Sequence, residues 1–94
     1  MNIEEIKGRI TPVLRKHNIR RAGIFGSVAT GKNSSDSDVD LLVELGESIS
    51  LLDFISIKLE LEDLLETPVD LVEYQAIKPR LKARILSEEI QIYG

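Results

Sequence analysis

Six residues do most to limit how this chain folds: Asp38-Val39-Asp40-Leu41-Leu42-Val43. Side chains alternate faces along an extended strand, so Asp38 and Asp40 point one way and Val39 the other. The run Leu41-Leu42-Val43 is apolar on both faces, the pattern of a strand covered on both sides. Two carboxylates therefore stand at the mouth of a core strand. A third acid, Asp70, lies near the start of a second short β-branched run, Val69-Asp70-Leu71-Val72, just after Pro68. If that strand lies beside the first, three carboxylates converge.

Magnitude decides what such a cluster means. Two carboxylates about 5 Å apart repel by roughly 3 kcal/mol at an effective dielectric near 20, and three make three such pairs. Without a cation, one or more would take up a proton. A bound Mg2+ relieves the repulsion, since it takes oxygen ligands and keeps positions for waters and phosphate oxygens. The chemistry this suggests is metal-assisted phosphoryl or nucleotidyl transfer.

Gly26-Ser27, separated by ten residues from Asp38-x-Asp40, fits the same chemistry. Glycine permits a sharp turn and close backbone approach to a ligand. The following N–H groups, with the Ser27 hydroxyl, can hold the oxygens of a triphosphate tail, especially where residues 28–30 begin a helical turn. Two other motifs fail on inspection. The stretch from Gly26 to Gly31-Lys32 nearly matches a P-loop, but Asn33 stands where Ser or Thr must reach Mg2+, and a new strand follows instead of a long helix. Asp36-x-Asp38-x-Asp40, with Glu47 at the twelfth position, imitates a calcium loop, but Leu41 occupies the position that requires glycine.

These residues carry a resemblance. Gly26-Ser27, Asp38-x-Asp40 and the later Asp70 resemble the nucleotidyltransferases of the DNA polymerase beta superfamily, and the short chain looks like a minimal nucleotidyltransferase domain nearly end to end. The similarity includes the Phe25-Gly26-Ser27 turn, the Val69 to Val72 strand and Lys78-Pro79-Arg80-Leu81. Many members have Arg where Thr30 stands, so this chain departs from the family at one phosphate contact, for which Lys32 is a candidate substitute. The resemblance implies a palm-like fold and transfer of AMP from ATP to a hydroxyl with loss of pyrophosphate. Gly26, Ser27 and Lys32 would hold phosphates. Asp38 and Asp40 would bind the Mg2+ ions, two by the family pattern, and Asp70 would help bind the one that activates the acceptor. It further implies an antitoxin paired with a HEPN-type toxin, modified on a tyrosine. Two alternatives stay open: a non-catalytic module that occludes such a partner, and a nucleotidyltransferase acting on a small molecule or an RNA end.

Bulk properties bound the rest. Ninety-four residues suit one domain, 1–94, with a single core. A net charge of −4 argues against general nucleic-acid binding. The absence of cysteine removes disulfides and thiolate metal sites. No apolar run approaches a membrane span and the N-terminus does not read as a signal peptide, so the expected location is the cytoplasm.

The periodicity predicts helices over 2–17, 50–66 and 77–86, with strands at 22–25, 38–43, 69–72 and, at an edge, within 88–94. The fold class is α/β (α+β): a small mixed sheet with helices packed on one face. The short link between the first two strands favours antiparallel neighbours, and the helix before the Asp70 strand is long enough for a parallel crossover. Pro12 is expected to kink the first helix or restart it, with Thr11 as cap. His17 reads as a solvated helix-end residue, and Arg20 and Arg21 as solvated charges. Leu81, Ile85 and Leu86 are expected to face inward. The 50–66 helix carries a second apolar strip, Leu52, Ile55 and Leu59, suited to packing within the domain or against another protein.

Overall fold

A computed structural model of the chain describes residues 2–31, 38–47 and 49–94. The first helix, α1, spans Ile3–Lys16 and buries Ile6, Ile10, Val13 and Leu14 along one stripe. Asn2 caps it, its side-chain oxygen accepting the Glu5 N–H at 2.8 Å. Acids in the first turn and bases in the last complement its dipole. The helix continues through Pro12 without restarting. Thr11 does not cap a second segment; its hydroxyl donates back to the Lys7 carbonyl at 2.6 Å. The chain leaves at Asn18, whose φ of 58° is a left-handed turn that asparagine tolerates.

Four strands follow: β1 (Arg21–Phe25), β2 (Val39–Glu44), β3 (Val69–Glu73) and β4 (Ile90–Tyr93), arranged β3-β2-β1-β4. A short helix, α2 (Gly26–Thr30), leaves β1, and β2 runs antiparallel to it. The long helix α3 (Leu51–Leu65) carries the chain from β2 to β3, which pair in parallel as a crossover connection allows. Ser50 and Asp53 close a reciprocal cap at its start, each side chain taking the other's N–H at 3.1 Å. β4 is the outer strand on the side of β1, antiparallel to it, with its register shifted between Ala22 and Gly23.

The core lies between one sheet face and the helices α1 and α3. Ile24 and Leu41 from the sheet meet Ile6, Ile10 and Leu14 from α1 and Ile57 and Leu61 from α3, all fully buried. Each such side chain contributes roughly 1.5–3 kcal/mol by leaving water. Tyr74–Ala76 form a 3-10 turn, and α4 (Pro79–Glu88) follows with Pro79 in its first turn. This last helix adds partial cover to the opposite face, where its cap Glu89 meets Gly23 of β1. It buries no residue of its own. Leu81 and Leu86 are 36% and 37% exposed rather than directed inward, since the helix lies over the outer sheet face with no further layer to cover it.

The basic residues at the end of α1 are not simply solvated. His17 Nε2 lies 2.9 Å from Glu60 Oε1 of α3, and Lys16 Nζ lies 3.2 Å from Glu60 Oε2, which clasps the two helices. The His17 and Lys16 hydrogen bonds hold the Glu60 carboxyl below its ordinary value of 4.5. A carboxyl depressed by folding stabilises above its unfolded pKa, and that contribution is lost as pH falls through the lower folded value. Glu60→Gln should therefore lower the melting temperature near neutral pH. The two melting curves should draw together as pH falls below 4.5 and the carboxyl takes up its proton, as followed by circular dichroism across a pH series.

Candidate active site

The end of β1 positions everything at the site. Phe25 is extended and Gly26 turns to a φ of +74°, from which α2 begins. In the antiparallel ladder Phe25 faces Asp40, which brings the Gly26 backbone against the Asp40 side chain. A Cβ built on Gly26 would overlap Asp40 Oδ2. Both the dihedral and the space therefore require glycine. The turn closes at Gly31, also left-handed with φ 75°. Thr30, standing where Arg is common in the resembling sequences, donates its hydroxyl to the Gly26 carbonyl at 3.1 Å. Lys32, the suggested substitute, and Asp36 lie outside the described residues.

The acids come together through register. Val39, Leu41 and Val43 of β2 pair with Val69, Leu71 and Glu73 of β3, and Asp40 pairs with Asp70. Val39, Leu41, Val69 and Leu71 enter the core, so Asp40 and Asp70 project side by side from the opposite face. The Val39 N–H donates to the Pro68 carbonyl at 3.1 Å and fixes the two strands at this end. Asp38 precedes Val39 and is exposed, as is Asp70, whereas Asp40 is half-buried. Burial raises the Asp40 carboxyl above its ordinary value of 3.8, and the charges of Asp70 and then Asp38 add to the effect.

Three acids whose fields overlap, with only oxygen donors, form a set suited to Mg2+. Among the described residues no group of three or more His, Cys, Asp or Glu side chains is gathered closely enough to hold a metal ion by itself. The arrangement is an open acidic face beside a backbone turn, which suits an ion that keeps waters and phosphate oxygens among its ligands. In chemical terms the acidic face offers oxygen donors of the kind a divalent cation takes, and the backbone N–H groups after Gly26 are of the kind that donate to anionic oxygen.

A polar cluster that the sequence did not reveal occupies the same sheet face further along. The Tyr74 hydroxyl donates to Glu89 Oε2, Arg21 Nη2 donates to Glu89 Oε1 at 3.3 Å, and the Arg21 guanidinium lies 4.5 Å from the centre of the Tyr74 ring. The Glu89 side chain is only 6% exposed, in space that a Cβ on Gly23 would fill. Burial, with the Glu89 carboxylate beside it, raises the Tyr74 hydroxyl well above the usual tyrosine range. The cluster ties β1 to the end of α4. Its members are 15 and 68 residues apart in sequence, too far for any local pattern to join them.

Two outcomes follow from this geometry. Gly26→Ala should destabilise the fold by about 1–3 kcal/mol, read from urea denaturation, because the new methyl group meets both a left-handed backbone and the Asp40 carboxylate. Asp40→Asn should raise the melting temperature of the metal-free protein at pH 7, since it removes a charge that the folded state disfavours. A carboxyl raised by folding favours the folded state most below its unfolded pKa, so the gain should vanish below 3.8, as calorimetry in chelator at two pH values would show.

Comparison with known proteins identifies the family and the fold. Residues 8–94 match the family described as Polymerase beta, Nucleotidyltransferase. A Methanocaldococcus jannaschii protein provisionally named a protein adenylyltransferase is 50% identical over 92 residues, covering 98% of this chain and 99% of its own. The protein adenylyltransferase MntA of Thermococcus cleftensis is 35% identical over 96 residues, covering 98% of this chain and 97% of its own. A solved structure provisionally described as a minimal nucleotidyltransferase superposes with a TM-score of 0.81 at 39% identity, covering 96% of this chain and 95% of that one. The fold also recurs, at 19% identity and a TM-score of 0.75, in a complex of a tri-AMPylated Shewanella oneidensis HEPN toxin with its MNT antitoxin, covering 97% of this chain and 71% of that one. With the family matched over nearly the whole chain and the acidic face set against the glycine turn, this chain belongs to the polymerase beta nucleotidyltransferase family.

Proposed function

We propose that the chain transfers AMP from ATP to a hydroxyl of a partner protein, a tyrosine of a HEPN-type toxin, and thereby serves as the antitoxin of a pair. The observation that carries the reading is the pairing of Asp40 with Asp70 on one sheet face, directly beside the Gly26 turn. Support for the acceptor class comes from the relatives named protein adenylyltransferases and from the same fold in the AMPylated HEPN complex.

In the reaction the acceptor oxygen attacks the α-phosphorus of ATP. A new O–P bond forms, the bond from the α-phosphorus to the bridging oxygen breaks, and pyrophosphate leaves. The Gly26 turn, the N–H groups of α2 and the Ser27 hydroxyl orient the tail phosphates. Asp38, Asp40 and Asp70 would hold Mg2+, which when bound neutralises the charge that builds on the phosphoryl oxygens. Asp70, exposed on the outer strand, would receive the proton of the acceptor hydroxyl. Positioning and electrostatic stabilisation supply most of the acceleration.

Incubation with labelled ATP, Mg2+ and a HEPN-type protein tests the reading. Label is expected on a partner tyrosine, and Asp38→Ala and Asp40→Ala should each reduce it by about 100-fold or more. Complex formation without label would favour occlusion, and label on an RNA end or a small molecule would reassign the acceptor.

A further inference from the structure

Four large apolar side chains stand exposed together on the outer side of α3: Leu51, Leu52, Ile55 and Leu59, between 44% and 76% exposed. At about 100° per residue they share one arc of the helix, facing away from the buried Ile57, Leu61 and Leu65. The same arc continues toward the C-terminal end as Glu62, Asp63 and Glu66. The strip is therefore apolar over its first turns and acidic over its last. At the apolar end an apolar cleft of about 450 Å³ opens between α3 and β3, lined by Leu45, Ile49, Leu51, Phe54, Val72 and Ala76.

The geometry points to this strip as the docking face for an amphipathic helix of the partner protein. The helix would present an apolar ridge to Leu52, Ile55 and Leu59, insert one large apolar side chain into the cleft, and set Lys or Arg against Asp63 and Glu66. This inference rests on the reading that the chain acts on a protein, and it names the surface that holds that protein. Charge selects the occupant. A second copy fits less well: paired over their whole length, antiparallel α3 helices would lay acids over leucines and parallel ones acid against acid, while an offset pair joining only the leucines would leave both acidic ends without an opposite charge. Placement suits the task, because α3 covers the sheet face opposite Asp40 and Asp70. A partner held there leaves the carboxylate face open, and its acceptor segment reaches the site around β3, the outer strand that carries Asp70.

The test titrates the full chain, by calorimetry, with a synthetic amphipathic peptide that carries a leucine ridge ending in Lys and Arg. The control peptide carries Glu at those basic positions. The basic peptide should bind, more weakly as salt rises, and lose about tenfold or more in affinity against Leu59→Glu and Leu52→Glu. Both changes are at exposed positions and should leave the circular dichroism melt unchanged. No binding, equal binding of the two peptides, or equal binding to the variants would overturn the inference. So would self-association of the chain, by light scattering, that Leu59→Glu abolishes. Mg-ATP affinity should be the same in Leu59→Glu as in the native chain. A native chain that binds the peptide but neither Mg-ATP nor label would sink the transfer reading and leave the docking face standing.

Discussion

The parallel register between β2 and β3 is the constraint on which the site depends. A shift of one residue would turn Asp70 into the core and Leu71 out to solvent, and burying an unpaired carboxylate there would cost several kcal/mol. The apolar residues Val39, Leu41, Val69 and Leu71 therefore enforce the placement of the acids between them. The crossover helix α3 enforces it a second time, since its buried Ile57, Leu61 and Leu65 fix how β3 lies against β2. Hydrophobic packing on one face thus determines electrostatics on the other.

That electrostatic arrangement works against the fold when no cation is near. Asp40 is half-buried beside two other carboxylates and against the backbone of Gly26, where ionisation is disfavoured. The core on the far side of the sheet offsets this cost, as happens where a functional constellation is built onto an otherwise consistent scaffold. Gly26 links the two requirements: the same missing side chain that permits the turn also leaves room for the carboxylate.

Other polar groups serve mainly to hold elements in place. Glu60 clasps α1 to α3, and Glu89, nearly out of water, gathers Tyr74 and Arg21 over the glycine gap in β1. The latter is a buried charge with opposite charge and a hydroxyl around it, the condition under which a carboxylate tolerates burial. Glu62 is used similarly, accepting the first N–H of β3, from Val69, at 2.8 Å. Long-range polar contacts of this kind position the elements that the apolar pattern has already formed.

Local chemistry made much of the chain legible in advance. The periodicity of Ile3, Ile6, Ile10, Val13 and Leu14 specified the first helix, and alternation about Asp38-Val39-Asp40 specified which side chains share a face. Gly26-Ser27 before Asp38-x-Asp40 was enough to suggest a phosphate turn facing a cation, because both depend on residue type and spacing within about a dozen residues. Tertiary structure alone decided the rest. Asp70 joins the first two acids only through strand order, His17 meets Glu60 only because α1 packs on α3, and Glu89 finds Gly23 only when β4 returns to β1. Whether the second apolar strip of α3 and the leucines of α4 would be covered was equally beyond the sequence, since periodicity states that a face is apolar but not what lies against it. The physical reason is common to all of these. Local preferences act over one or two turns of chain, whereas contacts between distant segments are fixed by how a limited core area is shared among the elements.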